Sequence, residues 1–205
     1  MSGLREKQKA DREQRILKAA TRLFREAGYD STKIETIAAK AKVSIGTVYN
    51  YYQNKGDLLV AIVSMEVNEV LRAGGELIAA PPAKVAQAVR ALIDIYLDHS
   101  LVYLDKQMWR HAMAISIRQP ETPHGRHYSE LDERLAAQVC ELIERLQRDG
   151  RVKPDVDPRA AGEIIFNNTN MMFMTFVKRE DMTLAELKAA IGRQLRPLVQ
   201  ALTNP

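Results

Sequence analysis

Sulfur chemistry is almost absent from this chain. Cys140 is the only cysteine, which excludes an intrachain disulfide and any cysteine metal cluster. Set beside Val139 in a helical pattern, it reads as a buried, inert thiol in preference to a redox sensor. The four histidines, His99, His111, His124 and His127, never form the i, i+4 pair that a helical zinc site uses. His124 and His127 stand at i, i+3 with no third ligand, so no metal is expected. A glycine-rich phosphate loop, a nucleophile elbow and a carboxylate pair in catalytic context are also missing. Neither an enzyme nor a cofactor is expected. No apolar run approaches the roughly 18 residues of a membrane span, and no signal-peptide pattern opens the sequence. The expectation is a cytoplasmic protein. Strand-like alternation of apolar and polar residues is lacking as well.

What is present is helical periodicity from end to end. With 205 residues, the chain has room for a small module and a medium one, each able to bury its own core. The net charge of +4 is unevenly spread. Residues 1–60 hold 12 Lys/Arg against 7 Asp/Glu, whereas the remainder holds 18 against 19. The basic excess suits phosphate binding by the N-terminal part, although a solvated basic face gives the same count.

Within that part, Thr32–Lys55 carries two short helical patterns that meet at Lys42-Val43. Ile34, Ile37, Ala38 and Ala41 share one face of the first, and Thr32 with Glu35 has capping-box spacing. Ser44 is a natural N-cap for the second. Val48 and Tyr52 give that segment an apolar edge, while Ile45, Gly46, Thr47, Tyr49 and Asn50 occupy the other. Small and hydrogen-bonding side chains at a helix start suit a helix laid in a DNA major groove. The pattern predicts a helix-turn-helix with Ser44–Tyr52 as recognition helix. Thr47, Tyr49 and Lys55 are the phosphate candidates and Ile45, Gly46 and Asn50 face base edges. Ser44, Tyr51 and, through its backbone N–H, Thr32 complete the candidate DNA-binding set. Residues 1–11, basic and without apolar periodicity, predict a disordered arm: a plain tail, or one that tracks DNA.

The surrounding residues carry a family likeness. Ile16-Leu17, Ala20, Leu23-Phe24 and Gly28-Tyr29 precede the motif, and Asn54-Lys55-Gly56-Asp57-Leu58-Leu59 follows it. With Val43-Ser44, Gly46-Thr47-Val48-Tyr49 and Tyr51-Tyr52, this stretch resembles the DNA-binding domain of TetR-type (tetracycline-repressor-like) transcriptional regulators, over roughly residues 12–62. Tyr52 stands where the family more often has Phe, and Tyr51 where it frequently has His. The resemblance implies a homodimer formed through the last two helices as a four-helix bundle, and a palindromic double-stranded DNA operator as partner.

The rest of the chain reads as helices throughout, broken at Pro81-Pro82, over Gln119–Arg126 and at Gly150. Ile164–Val177 is apolar nearly all round, so it must be buried all round. The last helix opens with a capping box, Thr183 and Glu186. Some of this apolar surface requires a second copy of the chain. A kink or early fraying is expected at Pro197.

Pocket-like composition gathers in two places: Tyr103, Met108, Trp109, His111 and Met113, then Asn167, Asn170, Met171 and Met174. Methionines make adaptable walls. An asparagine in an apolar helix must bond a ligand, a neighbouring helix or the dimer mate. No arginine cluster suggests a phosphate or polyacid. The whole therefore predicts an all-α regulator: a three-helix helix-turn-helix domain over 1–56 joined to a helical ligand-binding and dimerisation domain over 57–205. Its expected action is that of a repressor released from its operator by a small, largely apolar effector. The rival readings are a sequence-nonspecific architectural DNA-binding protein and a regulator controlled by a protein partner.

Overall fold

The computed structural model describes residues 2–203, and every regular element among them is a helix. The chain divides into two compact units that do not follow its order: residues up to 65 with 103–128, and 66–102 with 129 onward. The boundary expected at 56/57 falls in the first turn of a helix that contributes residues to both units.

In the first unit, α1 spans Ser2–Ala27. The sequence predicts an irregular arm over residues 1–11, and the structure corrects this for all but Met1, which lies outside the described residues. Arg5-Glu6-Lys7-Gln8-Lys9-Ala10 are good helix formers. They extend a helix whose anchoring comes from buried Ile16, Ala20 and Phe24. Gly28, at φ +83, supplies the left-handed turn that ends α1. Next, α2 (Ile34–Ala41) buries Ile34, Ile37, Ala38 and Ala41, as its spacing predicts. Its expected capping box does not form. Lys33 is the N-cap, and the Thr32 hydroxyl instead donates to the carbonyls of Gly28 (2.8 Å) and Leu23 (3.2 Å).

Lys42, left-handed at φ 56, closes α2, and α3 (Ile45–Tyr49) follows under the Ser44 cap, whose hydroxyl accepts from Thr47 N at 3.1 Å. Then α4 (Lys55–Ala79) begins with Asn54 Oδ1 accepting from Asp57 N, while the Asp57 carboxylate accepts from Gln53 N. This unit also holds α6 (Lys106–Arg118), capped by Asp105, and the start of α7 (Pro123–Arg148). Pro123 was expected to break structure but opens α7. A proline is well placed in a first turn, where its missing N–H costs nothing, and the Thr122 hydroxyl accepts from Gly125 N at 3.2 Å.

The second unit contains the remainder of α4 and α7 with α5 (Val85–His99), α8 (Pro158–Lys178) and α9 (Leu184–Leu202). The side-chain amide of Gln138 is buried in the core of this unit and is satisfied. Gln138 accepts from the Tyr96 hydroxyl and donates to the Leu71 carbonyl, each at 2.7 Å, tying α5, α7 and α4 together. Gly162 permits a close approach of α8 to α7, since a Cβ there would stand 2.5 Å from Cys140 Cα. The Asp157-Pro158 and Thr183/Glu186 starts form as the sequence predicts. Pro197 does not terminate α9, which runs on to Leu202; its end is tied to the α7–α8 loop by Lys153.

Leu187 is fully buried and Ile191 is 3 % exposed, both inside their own unit. Leu187→Glu therefore puts an unpaired carboxylate in a core and should cost more than about 4 kcal/mol. Thermal melting should show an unfolded or insoluble variant; a cooperative melt near the wild-type temperature would refute this packing.

Candidate DNA interface and effector region

Helix α3, Ile45–Tyr49, is shorter than the Ser44–Tyr52 recognition helix that the sequence predicts, because Asn50 caps it. Val48 is fully buried and holds α3 to the unit, while Ile45 (43 % exposed) and Tyr49 (49 %) stand out into solvent. Gly46 and Asn50 are exposed beside them. Thr47 is half-buried, its hydroxyl 2.8 Å from that of Ser44. The two remaining tyrosines face inward. Tyr52 is buried and its hydroxyl donates to Glu13 at 3.2 Å; burial first, and then the Glu13 charge, push its pKa up. Tyr51 donates to the Lys9 carbonyl at 3.1 Å. Both phenols thus fasten the end of the recognition segment to α1, and a Phe in place of Tyr52 would lack the donor for its bond to Glu13.

Lys55 has an internal partner that the sequence did not disclose. Its ammonium donates to the carbonyls of Tyr29 (2.9 Å) and Asp30 (3.0 Å) and lies 4.8 Å from the centre of the Tyr29 ring. A cation in the first turn of α4 opposes that helix's dipole, and these carbonyls offset the cost. The Tyr29 ring also meets Phe24 at 5.1 Å and His111 at 4.5 Å. Burial raises the Tyr29 pKa, with Asp30 and Asp57 adding to it. Thr32 is 4 % exposed and its hydroxyl is committed to α1.

The profile of bacterial regulatory proteins of the tetR family matches residues 16–62, spanning α1, the helix-turn-helix and the start of α4. Likeness extends over the full chain to the fatty acid metabolism regulator protein of Bacillus subtilis, 25% identical across 97% of this chain and 99% of that one. A TetR-family transcriptional regulator from Mesorhizobium loti superposes with a TM-score of 0.73 at 25% identity, covering 96% and 98% of the two chains. Residues 16–62 are a tetR-family DNA-binding domain. Through this helix-turn-helix the chain is a DNA-binding protein of the transcriptional-regulator type. Thermus thermophilus FadR, solved with lauroyl-CoA, shares the fold at a TM-score of 0.70 and 21% identity, over 94% of this chain and 96% of that one.

The nine candidate effector residues fall in different units. Tyr103, Met108, Trp109, His111 and Met113 belong to the first. There Met108, Trp109 and Met113 are buried, and His111 Nε2 lies 3.5 Å from the Asp30 carboxylate. Asn167, Asn170, Met171 and Met174 lie on α8 in the second, with Asn167 exposed and Met171 61 % exposed. Asn170 has its partner in a neighbouring helix: it bonds the carboxyl of Asp132 on α7.

A cleft of about 550 Å³ lies between α5 and α9, and none of the nine lines it. Val89, Ile93, Ile191 and Leu195 contribute its apolar surface, and Arg90, Lys188, Arg193 and Arg196 its charge. This corrects the expectation of no arginine cluster. Arg90 is about a hundred residues from the others, and only the packing of α5 on α9 assembles the group. Asp94 neutralises part of it, bridging Arg90 at 3.4 Å and Lys188 at 3.3 Å.

Burial raises the Asp132 carboxyl to about 6, with the Asn170 bond opposing. The folded pKa then exceeds the unfolded value near 3.9. The stabilising contribution is full below about pH 4 and is lost as pH rises through about 6. Asp132→Asn should raise stability at neutral pH by about 1–3 kcal/mol and flatten the pH 4–6 portion of the profile. Denaturation across that range checks it; an unaltered profile would show that Asp132 ionises freely.

Proposed function

We propose that this TetR-family protein is a repressor that binds an inverted-repeat operator as a homodimer and is released by a long-chain acyl thioester. The observation that carries the reading is the end-to-end likeness to a fatty acid metabolism regulator, which includes the region beyond the DNA-binding helices. The α5/α9 cleft supports it, because an apolar floor suits an acyl chain and an arginine-bearing rim suits an anionic head. Asn167, Asn170 and Met174 of α8, in the same unit as the cleft, are further candidate contacts. Release follows from linkage: a ligand that prefers one separation of the two recognition helices weakens operator binding by its differential affinity for the two states.

Lauroyl-CoA, titrated by calorimetry, should displace operator DNA, and the operator should lower lauroyl-CoA affinity by the same factor. Equal binding to free and DNA-bound protein would end the inducer reading. Release by a protein partner alone, or no preference for any operator over bulk DNA, would favour the two rivals.

The second copy is expected against α8 and α9. Ile164 (54 %) and Met171 (61 %) are large apolar side chains left exposed on α8. An Ile164→Glu, Met171→Glu double variant should keep its helical melt yet sediment as a monomer and bind operator weakly. A stable, operator-protecting dimer would move the interface elsewhere.

A further inference from the structure

The buried stripe of α1 continues past the helix-turn-helix in register, but its chemistry changes. Ile16 and Ala20 are fully buried, and Phe24 is 1 % exposed. Stepping back from Ile16 by four, three and four residues reaches Arg12, Lys9 and Arg5. At 100° per residue these three point within about 40° of Ile16, whereas Lys7 points about 180° away. The helix-turn-helix marks the same side. Arg15, on one flank of the stripe, donates to the Ala41 carbonyl at 3.0 Å, and Glu13, on the other, accepts from Tyr52. Tyr51 reaches the Lys9 carbonyl itself. The face that packs on the recognition segment therefore emerges beyond it as Lys9 and Arg5, both exposed. Of the acids beside Lys9 and Arg12, Asp11 is paired with Arg15 and Glu13 accepts from Tyr52.

We infer that the first turns of α1 are a further DNA-contacting segment, in which Arg5, Lys9 and Arg12 bind backbone phosphates flanking the recognition helix. A helix face in register with a core but built of cations has no apolar partner to cover. DNA laid on the exposed side chains of α3 places phosphates along the recognition segment's flank, and Tyr51 and Tyr52 hold the basic turns against that segment. The contact is to backbone, so it adds affinity and salt dependence and no base preference. The inference rests on DNA binding by the helix-turn-helix.

The test compares full-length wild type with Arg5→Ala, Lys9→Ala, their combination with Arg12→Ala, and Lys7→Ala, on a fluorescein-labelled duplex of arbitrary sequence. Affinity is measured from about 50 to 200 mM salt, where each lost phosphate contact lowers the log–log slope by about 0.9. Arg5→Ala and Lys9→Ala should each lose about that much, the triple variant more, and Lys7→Ala little. Circular dichroism should show the same melt for all. A triple variant with the wild-type slope would overturn the inference, and so would an equal loss for Lys7→Ala, which would mark a general charge effect. If wild type itself shows no salt-dependent binding, the helix-turn-helix reading fails and this one with it.

Discussion

One ammonium group holds the DNA-binding end together. Lys55 opens α4 in a place where its charge opposes the helix dipole, and it is compensated by the carbonyls of Tyr29 and Asp30 and the face of the Tyr29 ring. Those carbonyls lie just beyond the end of α1, so the clamp joins the helix before the helix-turn-helix to the helix after it. Between these fixed ends, α2 and α3 are bridged by the short left-handed turn at Lys42. Charge-assisted hydrogen bonds are about twice as strong as neutral ones and depend on direction. The attitude of the recognition helix thus depends on a contact outside it. His111 rests on the same tyrosine, and His124 pairs at 3.0 Å with the Asp57 carboxylate that caps α4, so α6 and the start of α7 belong physically to this unit.

Local rules of the sequence were legible wherever the deciding contact lay within a few residues. Ser44 capping α3, Asp157-Pro158 opening α8 and the Thr183/Glu186 box all formed. Thr32 does not cap α2 because its hydroxyl has two carbonyls closer to hand, Leu23 in α1 and Gly28 just beyond it. Pro123 misled because a proline that breaks a helix from inside is favourable in its first turn. The helical segment before Asp11 was missed because apolar periodicity reports burial, and an exposed extension of a well-anchored helix has none to show.

Function divides along the same line. The recognition segment lies in one short stretch around α3, five residues long, whose buried Val48 and exposed Ile45 and Tyr49 follow from one helical period. Effector chemistry is assembled from distant segments. Arg90 joins Arg193 and Arg196 only through the packing of α5 on α9, and Asn170 finds its partner on α7. The two-unit division is likewise invisible in chain order, because 103–128 returns to the N-terminal helices after α5 has been built into the other unit.

The close approach of α7 and α8 also determines the chemical life of the single thiol. Gly162 lets the α8 backbone lie over Cys140, whose Sγ–H donates to the Arg159 carbonyl at 3.4 Å, and burial pushes the thiol pKa up. A thiol that is both covered and protonated reacts with alkylating or oxidising reagents only when the helices part. Its modification rate is thus a clock for that opening, one that runs without an added label.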